Sequence, residues 1–192
     1  MSLTPSQMIP IDTVAPAFSL PNIVSGRTIS ISDFSDSKGL LVMFICNHCP
    51  YVKHVADEIA KIGQDYADQQ LGIVAISAND IETHPGDAPD RMKQEAQSRG
   101  YVFPYLYDET QEVAKAYSAA CTPDFFLFGA DMKLVYRGQL DDSRPGNGLP
   151  VTGKDLRGAI DAVLAGKKPA TPQRPSVGCN IKWKRGNEPV YA

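Results

Sequence analysis

Residues 39–54 read GLLVMFICNHCPYVKH. An apolar run stops at Cys46, a second cysteine follows at Cys49, and Pro50 leads into Val52, Val55, Ile59 and Ile62 at helical spacing. A continuous apolar run of this length predicts a strand buried on both faces of a sheet. Proline favours the first position of a helix, which makes Cys49 the N-cap. The stretch therefore predicts strand, Cys-x-x-Cys, helix. Its thiols lie at the carboxyl end of a buried strand, where open α/β sheets build their sites.

The flanking sequence supplies the other elements. FSLPNIVSGRTISISDF predicts an N-terminal hairpin about Ser25–Gly26. LGIVAIS is a second buried strand. DAPDRMKQEAQSRG is a helix with Asp87 as its cap and Gly100 as its stop. FPYLYD and TQEVAKAYSA follow as a short strand and a short helix, and DFFLFGADMKLVYRGQL as two strands about a Gly129–Asp131 turn. Thr152 or Lys154 opens a last helix that Gly166 closes. Alternating strands and helices imply a parallel centre, to which the late hairpin adds antiparallel strands. The expected class is α/β: a mixed central sheet with helices on both faces, in one domain over residues 10–166. Residues 167–192 carry four prolines and no clear strand; they are expected to form an extended tail.

Composition narrows the function. The 192 residues are 43% hydrophobic and 21% charged, with a net charge of −3 and no basic cluster. That argues against nucleic acid and anionic membrane surfaces as partners. The longest apolar run, Leu40–Ile45, is too short to span a bilayer. The N-terminal residues lack the pattern of a secretory signal, which makes a cytoplasmic location the default expectation. Four cysteines are too few for a disulfide scaffold.

Two thiols three residues apart can hold a metal, staple the fold or do redox chemistry. Structural zinc needs four ligands, usually as two separated pairs, and no second Cys-x-x-Cys exists here. His54 and His84 are read as a helix-surface and a loop residue rather than ligands. A strand–helix junction needs no staple. Redox chemistry is the reading adopted, with no metal or cofactor. A helix N-terminus stabilises a thiolate, and a neighbouring thiol lets the pair exchange two electrons through a small disulfide ring.

CNHCPYVKH together with CTPDFFLF and the leading VAPAFSL resembles the thioredoxin-like superfamily, in its peroxiredoxin-like, alkyl-hydroperoxide-reductase-like redoxin branch. The similarity covers roughly residues 10 to 166 by element order. It implies a thioredoxin-like fold and a cis Pro123 facing the thiol pair, with Thr122 and Pro123 shaping the site. In thiol–disulfide exchange, Cys46 is the exposed attacking thiolate and Cys49 resolves the mixed disulfide. Asn47, His48 and Pro50 shape this pair, and an imidazole beside the thiolate favours its charge. Cys49-Pro50 is also similar to the peroxidatic cysteine of peroxiredoxins. Their upstream proline and threonine, however, are replaced here by Val42 and Cys46. Exchange is the preferred function, with protein or small-molecule disulfides and thiols as substrates and an external thiol as reductant. The alternatives are a thiol peroxidase acting on peroxides through Cys49 and a non-catalytic binding module. Cys121, two residues before Pro123, is a candidate third redox thiol. Cys179 lies in a stretch with Trp183 that could dock the tail and bring a sulfur to the site.

Overall fold

The computed structural model describes residues 3–191. Its centre is β4 (Gly39–Phe44), buried along its whole length. β4 pairs in parallel with β5 (Leu71–Ser77), which pairs in parallel with β6 (Tyr105–Tyr107). On its other side it pairs antiparallel with β8 (Asp124–Gly129), which turns back into β9 (Leu134–Gly138). The sheet order is β6-β5-β4-β8-β9, the mixed arrangement predicted from the element order.

Alternation along β4 sorts the core into two layers. Leu41, Met43 and Ile45 face α1 (Pro50–Tyr66), α2 (Pro89–Arg99) and α4 (Lys154–Leu164). Leu40, Val42 and Phe44 face the opposite layer, which holds Phe18, Ala114 of α3 (Glu112–Ala116), Tyr117 and Ile181 of the tail. Burying one large apolar side chain contributes about 1.5–3 kcal/mol. With five such side chains, β4 is a rigid base for the residues that follow it.

The N-terminal hairpin is present as β2 (Ser19–Pro21) and β3 (Thr28–Ser30), with Gly26 at φ 73° in its turn. Gly100 ends α2 in the left-handed conformation, as its position predicted. Two expectations need correction. Asp87 does not cap α2: Pro89 is the first residue of that helix, and the residue before a proline is pushed to extended backbone, so Ala88 is the N-cap. Asp87 instead sits in a short 3₁₀ turn, Pro85–Asp87, and is buried.

The tail also contains a strand. β10 (Val177–Asn180) lies between β7 (Cys121–Thr122) and β1 (Leu3–Pro5), antiparallel to both. It fits because residue 178 is glycine: a Cβ there would come 2.0 Å from the Thr122 carbonyl oxygen. Beyond it the tail is bonded to the body. Ile181 N donates to the Ala120 carbonyl, Lys182 N to Asn79 Oδ1, and the buried Gln111 amide donates to the carbonyls of Ala78 and Lys182. Trp183 packs on the second layer, its ring edge-on to Tyr191. The tail is thus fastened to the rest of the chain by backbone and side-chain bonds. The peptide bonds before Pro123 and Pro172 are cis.

Candidate active site

The end of β4 is held by Ile45 N donating to the Ile76 carbonyl, and Cys46 follows at once. The chain then turns through Asn47 and His48 into α1, with Cys49 as N-cap and Pro50 in the first turn. The turn is organised by Asp87. Its Oδ1 accepts from the backbone N–H groups of Asn47 (2.8 Å) and His48 (3.1 Å). Its Oδ2 takes His48 Nδ1 (2.5 Å) and Asn79 Nδ2 (2.8 Å). Burial opposes the Asp87 charge, but the bonds from His48 and Asn79, the nearby imidazole and the Asn47 amide outweigh it and hold its pKa below the usual carboxylate value. Asn47 is fixed further by the Tyr105 hydroxyl and by its own bond to the Gly86 carbonyl. The His84 ring stacks on His48 at 4.8 Å.

Thr122 closes the site from the other side. Its hydroxyl lies 3.4 Å from Cys46 Sγ, and its carbonyl oxygen lies 3.2 Å from Cys49 Sγ. Cys46 Sγ is also 3.9 Å from His48 Nδ1. Cys46, Cys49 and Cys179 lie in one buried cluster, close enough for the charge of Cys49 to respond to both of the others. Cys121, on β7, directs its thiol to the Pro123 carbonyl, and burial pushes its pKa up. No disulfide joins any of the four cysteines.

The pair holds its charge unevenly. The hydrogen bond from Cys46 pulls Cys49 down to about 4, overcoming burial; Cys179, Thr122 and the Val52 amide add to it. The Thr122 carbonyl is the contact that resists this thiolate, since only the protonated Cys49 can donate to it. Cys46 moves the other way, raised by its bond to Cys49, by burial and by the Asp87 carboxylate. This corrects the expectation that Cys46 is the exposed, low-pKa thiolate: it is 2% exposed, and Cys49 is 0% exposed. The interaction of the two sulfurs is the largest cause at each, lowering Cys49 and raising Cys46, and the buried Asp87 carboxylate adds to the rise at Cys46.

Of the residues singled out from sequence, Cys46, Asn47, His48, Cys49, Pro50, Thr122 and Pro123 converge here. Cys121 lies alongside, in the strand that ends at Thr122. His54 is elsewhere, bonded to Ser143 at 2.7 Å. Sequence reasoning missed Asp87 and Asn79. The signal available was Pro89, which moves the helix cap to residue 88 and leaves Asp87 with no local use. Cys46, His48 and Asp87 each bring one atom suited to metal ligation within 4.8 Å of the others. Both Asp87 oxygens already accept two hydrogen bonds, so a metal would have to displace those donors. A cavity of about 370 Å³ between α4 and residues 169–174 is lined by no cysteine or histidine.

Residues 11–137 match the AhpC/TSA family, more than half of the chain. The chain belongs to that family. The AhpC/TSA match ends before α4 and before the tail strand that carries Cys179. Over nearly the whole length the chain is similar to an uncharacterized conserved protein from Geobacillus kaustophilus, with 53% identity, 96% of this chain and 97% of that one covered, and a TM-score of 0.94. A hypothetical protein from Sinorhizobium meliloti 1021 is 51% identical, with 95% and 100% covered and a TM-score of 0.93. A thiol:disulfide interchange protein of the thioredoxin family from Chlorobium tepidum is 16% identical, with 81% and 99% covered and a TM-score of 0.62; that likeness concerns the fold, which is thioredoxin-like. Among proteins of curated function none matches.

Proposed function

We propose that this AhpC/TSA-family protein is a thiol–disulfide oxidoreductase that cycles Cys46 and Cys49 between dithiol and disulfide. The observation that carries the reading is the buried sulfur pair at the start of α1, both members of which meet Thr122, one its hydroxyl and the other its carbonyl. In the oxidised protein a substrate thiolate attacks Cys46 Sγ, the less enclosed sulfur. The Cys46–Cys49 bond breaks, and Cys49 leaves as the thiolate that the helix start and its neighbours stabilise. A low-pKa thiolate is the better leaving group, and a stabilised reduced form makes a disulfide a stronger oxidant. Cys49 then donates no further electrons; a second substrate thiol releases Cys46. In the reverse direction Cys46 attacks a substrate disulfide and its proton goes to the substrate thiolate that leaves; Cys49 then attacks Cys46 Sγ, forms the internal disulfide and expels the second substrate thiolate. Protein or small-molecule thiols and disulfides are the substrates, and an external thiol or disulfide couple closes the cycle.

One observation favours a second reading, a thiol peroxidase. The charged sulfur is Cys49, directly ahead of Pro50 at a helix start, which suits attack on a peroxide. Such an attack yields a sulfenic acid on Cys49 that Cys46 condenses with, releasing water. Rapid-mixing measurements with hydrogen peroxide and with a small disulfide separate the two. Exchange requires fast reaction with the disulfide, slow reaction with peroxide, and a mixed disulfide that accumulates on Cys46 in Cys49→Ser. Fast peroxide consumption that persists in Cys46→Ser and vanishes in Cys49→Ser would establish the peroxidase instead.

A further inference from the structure

The tail strand β10 does more than cover β7. Cys179 is the ladder partner of Thr122, the residue whose carbonyl oxygen meets Cys49 Sγ and whose hydroxyl meets Cys46 Sγ. Gly178 lets this strand lie against Thr122 far more closely than a residue with a Cβ could. The result is a third sulfur buried in the same cluster as Cys46 and Cys49, across the ladder from the residue that touches both, and near enough to bear on the charge of Cys49. It is supplied by a segment outside the residues that match the family. Ile181 and Lys182, bonded to Ala120 and Asn79, keep the strand in register.

We propose that Cys179 is a third redox thiol, which takes the disulfide from the Cys46–Cys49 pair by bonding to Cys49. The proposal rests on the exchange reading given above. The Cys179 thiolate attacks Cys49 Sγ of the Cys46–Cys49 disulfide. The bond between Cys46 and Cys49 breaks, the bond between Cys49 and Cys179 forms, and Cys46 leaves as a thiolate that takes up the proton Cys179 gave up. The step is an isomerisation and needs no outside oxidant. Burial raises the Cys179 pKa to about 12, so in the resting protein this thiol waits protonated and attacks only as it passes its proton to the departing Cys46. The same contact lets Cys179 expel a substrate thiol from Cys49 when Cys46 is absent. Held sulfurs of this kind react as an intramolecular pair.

Disulfide mapping tests this on the full-length protein. The reduced protein is treated with oxidised glutathione, quenched in acid, alkylated and digested without reduction. Residues 39–53 form one tryptic peptide that carries both Cys46 and Cys49, so an internal bond and a cross-link to the Cys179 peptide differ plainly in mass. Cys46→Ser should give the Cys49–Cys179 cross-link and release glutathione about tenfold or more faster than Cys46→Ser combined with Cys179→Ser. A Cys46→Ser protein that keeps glutathione on Cys49 while Cys179 is alkylated overturns the proposal. Should that variant fail to fold, the oxidised wild type decides: presence of the Cys49–Cys179 cross-link supports the proposal and its absence overturns it. Failure of the exchange reading shows separately, as a wild type in which the 39–53 peptide never acquires its internal bond.

Discussion

The Asp87 carboxylate holds His48 twice, taking the ring nitrogen at 2.5 Å on one oxygen and the backbone N–H at 3.1 Å on the other. A single side chain therefore fixes both the shape of the Cys-x-x-Cys turn and the electrostatics beside Cys46. Asp87→Asn keeps the size but turns one acceptor into a donor that faces Asn79 and His48. Leaving such buried groups unpaired costs about 1–3 kcal/mol. The native Asp87 pKa is lowered, so its contribution is complete above the unfolded carboxylate value of about 4 and is lost as pH falls through the lower native value. Chemical denaturation at neutral pH should show the loss in Asp87→Asn. The variant should also titrate Cys46 at lower pH, because a neighbouring negative charge is gone. An unchanged midpoint and an unchanged Cys46 would sink this role.

The reduced protein should show a thiolate absorbance that rises with a midpoint near 4. Cys49→Ser should abolish that transition, and Cys46→Ser should move it upward, since the hydrogen bond from Cys46 is its largest cause. A first transition at or above the ordinary cysteine value of about 8.5 contradicts the charge distribution described here.

Asp124 begins β8 beside Cys121 and is fully buried; its Oδ1 has no hydrogen-bond partner among the described residues. Burial raises its pKa to about 7. A carboxyl raised in this way binds more protons folded than unfolded between about pH 4 and 7, so its presence lowers stability as pH rises through that window. The shift corresponds to at most about 4 kcal/mol at alkaline pH. Asp124→Asn should therefore melt above the wild type at pH near 8 and close to it at pH near 4. Equal melting temperatures at both ends would refute the assignment.

Gly178→Ala places a methyl group against the Thr122 carbonyl, at a distance no packed carbon tolerates. Overpacking of this kind costs about 1–3 kcal/mol. Because the strain falls on one short strand, it should be relieved by detachment of β10 rather than by global unfolding. The expected signs are faster alkylation of Cys179 and faster proteolysis after residue 166, with the core transition little changed.

The sheet and α1 were legible because their evidence is local: β4 and β5 are unbroken apolar runs, and Pro50 marks the helix start. Cys49 as N-cap followed from the same proline. Two features were not legible, for different reasons. Asp87 was assigned to a helix cap because Asp is a good cap in isolation; Pro89 overrides that preference two residues later. β10 has a glycine, a cysteine and an asparagine among its four residues, a weak strand by composition. It becomes a strand through its neighbours, Cys121–Thr122 on one side and Leu3–Pro5 on the other, each more than fifty residues away in sequence. The charge order of Cys46 and Cys49 was likewise hidden, because it depends on how the two sulfurs face each other in the folded turn, with Asp87 adding to it at Cys46.

Leu3 is the ladder partner of Cys179. The first strand of the chain therefore seals the outer margin of the segment whose inner margin faces the thiols. Without it, β10 would present a row of unsatisfied amides and carbonyls, the kind of border onto which another polypeptide adds a strand. Cutting the chain back past Pro5 should thus convert a closed three-strand unit into a sticky one and raise the apparent mass in gel filtration. The solution behaviour of the protein would then be governed by a few residues far in sequence from the cysteines they shield.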